Sequence, residues 1–372
     1  MNGLAELRFH TLHIPFRERF RHASAARDAT SSIWVEAIGT DGTVGVGEAC
    51  PRPYVTGETL ESAAAFFSRV RGEVLEDVGD AESLRRWVTA HTKSIDRAPA
   101  AWCAIELALI DLFARQAGQT ADAWLGLPAT ARTFSYSAVL GDAELPVFAA
   151  TVARYHEIGM TDFKLKLSGN LARDQAKIEV LRSAGADIAR LRLDANNLWQ
   201  DLDVALTYLA KLDAPAFAIE EPLSTAMHAE LPALARASGM AIILDESLCR
   251  IEQLQDLAPD TRWIPNLRVS KLGGVLRTLS LVYAAQARGL PVIVGAQVGE
   301  TSLLTRVALI AALAAGDALI AQEGAFGTLL LEHDVCEPLM FGRGGVLSFA
   351  AGGTGWGLAC APEPAWLRAG PG

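Results

Sequence analysis

Eight short apolar runs recur between residues 134 and 321, and five of them carry a charge at their end at almost even spacing. The charges are Lys166 after Phe163-Lys164-Leu165, Asp194 after Leu191-Arg192-Leu193, Glu220 after Phe217-Ala218-Ile219, Asp245 after Ile242-Ile243-Leu244, and Lys271 after Val269-Ser270. The steps between them are 28, 26, 25 and 26 residues, about the length of one strand–helix unit. The runs are Phe134–Val139, Phe163–Leu167, Leu191–Asp194, Ala216–Ile219, Ala241–Leu244, Asn266–Val269, Pro291–Val294 and Ala318–Ala321, with helical stretches between them. Eight βα units predict a closed α/β barrel of the TIM type rather than an open doubly wound sheet. Charges at the C-terminal ends of successive parallel strands stand where such barrels carry their active sites.

A barrel takes about 250 residues, so a chain of 372 residues has room for a second module. Residues 4 to 50 alternate and carry turn signals. Ser32 to Ile38 and Val44 to Ala49 read as a hairpin about Thr40-Asp41-Gly42-Thr43. Residues 58 to 127 read as helical. Ala63 to Leu75 is amphipathic, Asp80 caps a helix through His91, and Pro99 suits the first turn of a long apolar helix from Ala100 to Ala117. Strands followed by helices without alternation predict an α+β module. The expected organisation is an N-terminal α+β capping domain over 1–128, a barrel over 129–340, and a segment over 341–372 that returns to the cap. Gly342 to Gly357 contains no strand-to-helix phosphate loop and belongs to that returning tail.

Hydrophobic residues make up 51% and charged residues 20%, enough for a sizeable core. The net charge of −10 argues against nucleic acid and against an anionic membrane surface. The apolar run Leu303 to Leu313 is interrupted by Arg306 and is too short to span a bilayer, so a buried barrel helix is expected. The five cysteines are widely spaced, odd in number and free of Cys-x-x-Cys, which reads as reduced thiols in a cytoplasm. The N-terminus shows no signal-peptide pattern.

Asp194, Glu220 and Asp245 lie on consecutive strands and can converge at the barrel mouth. Three oxygen ligands suit an octahedral Mg²⁺, with Mn²⁺ also possible, whereas zinc usually takes His or Cys. Any one of them alone would read as a helix cap. Lys164 and Lys166 are two apart on a strand and point the same way. Each lowers the other's pKa, and a lysine brought towards neutrality can act as a base. Lys271, from the sixth strand, is expected to face Lys166 across the barrel.

This set resembles the enolase superfamily, and within it the muconate lactonizing enzyme subgroup, which also contains dipeptide epimerases and o-succinylbenzoate synthases. The matching pieces are Lys164-x-Lys166, Asp194-Ala195-Asn196, Glu220-Glu221-Pro222, Asp245-Glu246-Ser247 and Lys271-Leu272-Gly273-Gly274. The N-terminal strands and helices match the family's capping domain, so the resemblance covers essentially the whole chain. It implies that a small-molecule carboxylate binds a metal held by Asp194, Glu220 and Asp245. Lys166 or Lys271 would abstract the proton α to the carboxylate, and the metal and Lys164 would stabilise the resulting enediolate. A homo-oligomeric enzyme is expected.

The mandelate racemase subgroup uses a histidine at the seventh strand. None of the seven histidines lies there, where the chain reads Val292-Ile293-Val294-Gly295-Ala296-Gln297. Specificity is expected from the cap loops Phe20–Ala25 and Pro51–Glu58, from Asn196, and from the eighth strand end. The second cap loop, with Tyr54 and Val55, looks like the corresponding loop of dipeptide epimerases. The eighth strand end reads Gln322-Glu323-Gly324-Ala325-Phe326-Gly327 and lacks their Asp-x-Asp. It is closer to the Glu-Leu-Phe-Gly of muconate cycloisomerases, with one extra residue. Glu323 is expected either to pair with a cationic substrate group or to sit as a cap or rim residue, and Glu300 is expected to cap the next helix. The readings are a racemase or epimerase of an amino-acid derivative or dipeptide, a cycloisomerase or β-elimination enzyme, or a non-catalytic binding barrel.

Overall fold

The computed structural model describes residues 3–22 and 25–370. The cap loop Phe20–Ala25 includes Ala23 and Ser24, which lie outside the described residues. A four-stranded antiparallel sheet forms the base of the cap. Leu4–Leu12 lies between Ser32–Gly39 and the C-terminal strand Leu367–Ala369, and Val44–Ala49 completes the far edge. The expected hairpin is present: Ile33 pairs with Ala49 and Ile38 with Val44.

Three long helices follow, with the short turns Thr92–Ile95 and Ala121–Trp124 beside them. Leu60–Asp77 starts at a Thr59–Ser62 capping box, and Ala81–Ala90 starts at Asp80, whose side chain accepts from Ser83 N. Pro99–Gln116 begins with proline in its first turn, and every residue from Pro99 to Ala114 is buried. This helix lies directly on strand Val44–Ala49. Gly45 and Gly47 permit the approach, because a Cβ on either would collide with the helix backbone at Leu112 and Ala104.

Eight parallel strands then form one sheet in chain order: Ala138–Leu140, Phe163–Lys166, Arg192–Asp194, Ala218–Glu220, Ala241–Leu244, Trp263–Leu267, Val292–Val294 and Leu319–Gln322. Ser137 N–H donates to the Gln322 carbonyl at 2.8 Å and ties the last strand to the first. Ala218, Ala241, Ile243, Ile264, Ile293 and Ala321 form a separate buried cluster. Their parity along the strands marks the barrel interior, because alternate side chains share a face.

Two expected strands differ. Phe134–Val139 is not one strand. Ala131–Ser135 pairs antiparallel with the tail strand Val346–Ala350, and only Ala138–Leu140 enters the barrel. The split falls where Tyr136 N donates to Gly345 O at 2.7 Å and the next residue donates to Gln322. The sixth strand runs Trp263–Leu267, earlier than expected, and Val269–Leu272 is a single helical turn.

The tail also returns to the cap at Trp356. Its N–H donates to Asp111 Oδ1 at 2.8 Å and its indole N–H to Val46 O at 3.2 Å. Arg306, which interrupts the apolar helix Ser302–Ala315, is buried. It pairs with Asp122 and donates to Trp356 O at 3.0 Å. Asp122→Ala leaves that guanidinium buried without its counter-charge. A loss of about 3–5 kcal/mol is expected in denaturant unfolding.

Cap and barrel also meet through Glu48. It is buried, accepts from Thr301 N at 3.1 Å, and pairs with the Thr301 hydroxyl. Burial pushes its carboxyl up to about 8. The folded chain therefore holds a proton that the unfolded chain releases above about pH 4.3. This contribution to stability is full below that value and is lost as pH rises towards 8. The melting temperature is expected to fall between pH 5 and pH 8, and Glu48→Gln to flatten part of that fall.

Among the described residues no helix is long and apolar enough to cross a membrane, and all five cysteines are free.

Candidate active site

Parallel register places the strand-end charges in a row. Lys166 is paired with Asp194, and Asp194 with Glu220, across three neighbouring strands. Inward parity carries Lys164 to Lys166, Arg192 to Asp194, Ala218 to Glu220, and Ile243 to Asp245. Asp194, Glu220 and Asp245 are all fully buried.

Lys166 Nζ donates to Asp194 Oδ2 at 2.7 Å and to Asn196 Oδ1 at 2.8 Å. Asn196 is thus a holder of Lys166, in an unusual backbone position with φ of +46°. Lys164 is buried and faces three acids: Glu220 Oε1 at 2.8 Å, Glu323 Oε2 at 3.2 Å and Asp194 Oδ2 at 3.3 Å. Burial works to lower its pKa, but Glu220, Glu323 and Asp194 outweigh burial and hold it above the usual lysine range. The expected lowering of the Lys164 pKa does not occur, because the charges of Glu220, Glu323 and Asp194 outweigh what lowers it.

The acids are driven apart electrically. Burial raises Asp194 and Asp245, yet nearby cations outweigh it. Lys166 and Lys164 hold Asp194 down, and Arg268 and Lys271 hold Asp245 down. Glu220 is pushed up to about 8, by burial first and then by the like charges of Asp194, Asp245 and Glu323 against Lys164.

Three expected positions are corrected. Lys271 is not at a strand end. It lies on the turn Val269–Leu272, where Cys50 N donates to Ser270 Oγ at 2.8 Å and so ties the turn to the cap. Gly273 and Gly274, with φ of +83° and +100°, bring that turn against Ile95 and Glu106, and a Cβ on either would clash there. Glu323 neither caps a helix nor sits on the rim; it is buried between Lys164 and Arg192, whose Nη1 is 3.5 Å away. Glu300 does not cap the following helix, which is capped by Thr301; its carboxylate accepts from Gln297 N at 2.7 Å.

Tyr54 and Val55 lie half-buried on a turn. The loop is anchored to the barrel mouth by Arg52, which donates to Val298 O at 2.6 Å after the seventh strand.

Two important residues were overlooked in the sequence. Arg268 follows the sixth strand with inward parity from Ile264 and Asn266. It pairs with Asp245, approaches Glu220 Oε1 at 3.7 Å, and donates to Gln297 Oε1 at 3.1 Å. Counting by twos from Ile264 would have found it. Glu221 accepts from Asp245 N at 2.7 Å, Ser247 N at 2.9 Å and Ser247 Oγ at 2.6 Å, so it holds the loop that carries Asp245.

No group of three or more His, Cys, Asp or Glu side chains among the described residues is gathered as a ready metal cluster. Arg268 lies between Glu220 and Asp245 instead. The donor chemistry nevertheless fits a hard divalent cation. The three candidates are all carboxylates, they are buried at the ends of neighbouring strands, and burial, with crowding by like charge, raises Glu220.

Fold and site together define a barrel enzyme with strand-end acids and lysines at its mouth. Residues 147–363 match the model of the enolase C-terminal domain-like family, and the chain belongs to that family. It is 29% identical over 312 residues to an aromatic dipeptide epimerase of Herpetosiphon aurantiacus, covering 82% of this chain and 85% of that one. It is 29% identical over 284 residues to a chloromuconate cycloisomerase of Cupriavidus pinatubonensis, covering 75% and 76%. Among solved structures, a dipeptide epimerase from Cytophaga hutchinsonii, complexed with Mg and D-Ala-L-Val, superposes with a TM-score of 0.85 at 22% identity, covering 99% of both chains.

Proposed function

We propose that the protein is a Mg²⁺-dependent isomerase that removes the proton α to a carboxylate and stabilises the enediolate that forms. The observation that carries this reading is Lys166, held by Asp194 and Asn196 at the mouth beside the buried acids. Asp194, Glu220 and Asp245 would hold the ion, with Mn²⁺ able to replace Mg²⁺. The ion supplies positive charge against the negative charge that develops on the substrate carboxylate. Lys166 Nζ takes the α-proton and the C–H electron pair moves into the carboxylate. Lys164, fixed by three acids, contributes a preorganised positive charge beside that carboxylate.

The first reading of the overall reaction is racemisation or epimerisation of an amino-acid derivative or dipeptide. It is supported by the several epimerases among the relatives. The second is cycloisomerisation or β-elimination, supported by the chloromuconate cycloisomerase and by the burial of Lys271, which leaves Lys166 as the more open of the two lysines. Tyr54 and Val55 would select the substrate from the cap, residues 1–128, to which the tail 341–372 returns. A cytoplasmic homo-oligomer completes the proposal; free cysteines support the compartment.

A screen of dipeptides, N-acyl amino acids and betaines for Mg²⁺-dependent α-deuterium incorporation tests it. Incorporation with inversion selects the first reading, and loss or closure of a β-substituent selects the second. Metal binding with no incorporation into any carboxylate would favour a non-catalytic binding barrel.

A further inference from the structure

We propose that Arg268, and not Lys271, meets the substrate on the face opposite Lys166, and that Lys271 is a positioning residue for Asp245. The inference rests on the reading of the site as an α-proton abstractor. Its consequence is a single lysine base and exchange of one substrate configuration, so of the two readings of the overall reaction it selects cycloisomerisation or β-elimination over racemisation.

The two residues leave the sixth strand in opposite directions. Trp263–Leu267 turns Ile264 and Asn266 inward, and Arg268 continues that parity into the mouth. Its guanidinium spans from Asp245 and Glu220 to Gln297, at the ends of the fifth, fourth and seventh strands. The second and sixth strands are four places apart in the eight-stranded order, so Arg268 lies across the barrel from Lys166.

Lys271 sits beneath this layer. It has three N–H donors, and each has an acceptor: Asp245 O at 2.6 Å, Asn266 O at 2.8 Å and Asp245 Oδ1 at 3.0 Å. Two of these contacts hold Asp245 and the third ties Lys271 to the sixth strand at Asn266. Exposure separates the cations in the same way. The Lys166 and Arg268 side chains are 12% and 11% exposed, whereas Lys164 and Lys271 are at 2% and 0%.

A guanidinium keeps its protons, so the Arg268 face does not take the α-proton. Lys166 takes it, the C–H pair becomes the enediolate, and the Lys166 ammonium, exchanged with solvent, returns a deuteron to the same face. Arg268 binds and screens charge on the other face.

The test follows α-proton exchange in D₂O by NMR with both enantiomers of each carboxylate in the screen, using the Mg²⁺-loaded enzyme. Wild type is expected to exchange one configuration at least about 100-fold faster than the other, a difference of about 2.7 kcal/mol. Lys271→Met is expected to keep that preference while weakening Mg²⁺ binding in calorimetry, with Lys271→Arg restoring part of the affinity. Should Lys271→Met fail to fold, Arg268→Met carries the test: KM should rise at least tenfold with the configurational preference kept. Comparable exchange of both configurations in wild type, loss of one of them in Lys271→Met, or an unchanged KM in Arg268→Met would overturn the assignment and leave α-proton abstraction standing. Absence of exchange with every carboxylate would overturn both.

Discussion

Lys166→Ala is expected to abolish α-proton exchange, with a fall of about 10²–10⁴-fold, the range for loss of a positioned general base. The fold should survive. Asp194 loses one partner at 2.7 Å but keeps Lys164 at 3.3 Å, and Asn196 keeps its own N–H contact to Asp194 at 3.1 Å. The melting temperature and Mg²⁺ affinity are the controls, because a collapsed site would move both. Residual exchange within threefold of wild type would remove Lys166 as the base. Lys166→Arg should fail as Lys166→Ala does, since the requirement is for a group that releases and takes a proton rather than for a charge.

Glu220→Gln carries the second large effect. It removes one of the three proposed carboxylate ligands, so Mg²⁺ affinity should drop by more than the roughly 10–100-fold that loss of a supporting partner costs at metal sites. Activity should fall with it. Stability of the ion-free protein should not. Glu220 is pushed up to about 8 by burial and by its acidic neighbours, so at pH 7 the ion-free site largely holds the neutral acid that glutamine imitates. Metal binding must displace that proton. Wild-type Mg²⁺ affinity should therefore climb from pH 6 towards pH 8, and the variant should lose part of this dependence. Calorimetric titrations at three pH values read both effects. Full activity of wild type in excess chelator would dismiss the metal assignment.

The variants around the site differ in kind. Glu48 and Asp122 join cap, barrel and tail through Thr301 and Arg306, so their replacements are read in stability. Lys166 and Glu220 stand at strand ends, where barrel residues serve the reaction more than the fold.

Much of this architecture was legible in the chain. All eight barrel strands fall on or within a few residues of the apolar runs, because buried parallel strands are continuous hydrophobic segments and need no partner to be visible. Asp80 and Pro99 mark helix starts for equally local reasons, a carboxylate accepting backbone N–H groups and a fixed φ. Lys166, Asp194 and Glu220 are legible because each ends its strand, and a two-residue period decides which face they share.

The residues that defeated this reading are those placed by something other than their own strand. Spacing assigns Lys271 to the barrel mouth, but the turn at Gly273-Gly274 packs on Ile95 and Glu106 of the cap and sends its ammonium under Asp245. Glu300 follows the seventh strand as a cap should, yet Thr301 takes that role and is itself held by Glu48 of the cap. Glu323 looks like a rim residue until Lys164 and Arg192, from the second and third strands, close around it. Sequence alone determined the number of barrel strands, their approximate places and the strand-end positions of Lys166, Asp194 and Glu220, because periodicity and strand-end chemistry are local. Only the tertiary structure decided which cations face the mouth and which lie beneath it, because that depends on the cap's contacts with the barrel loops and on charges brought together from strands far apart in the chain.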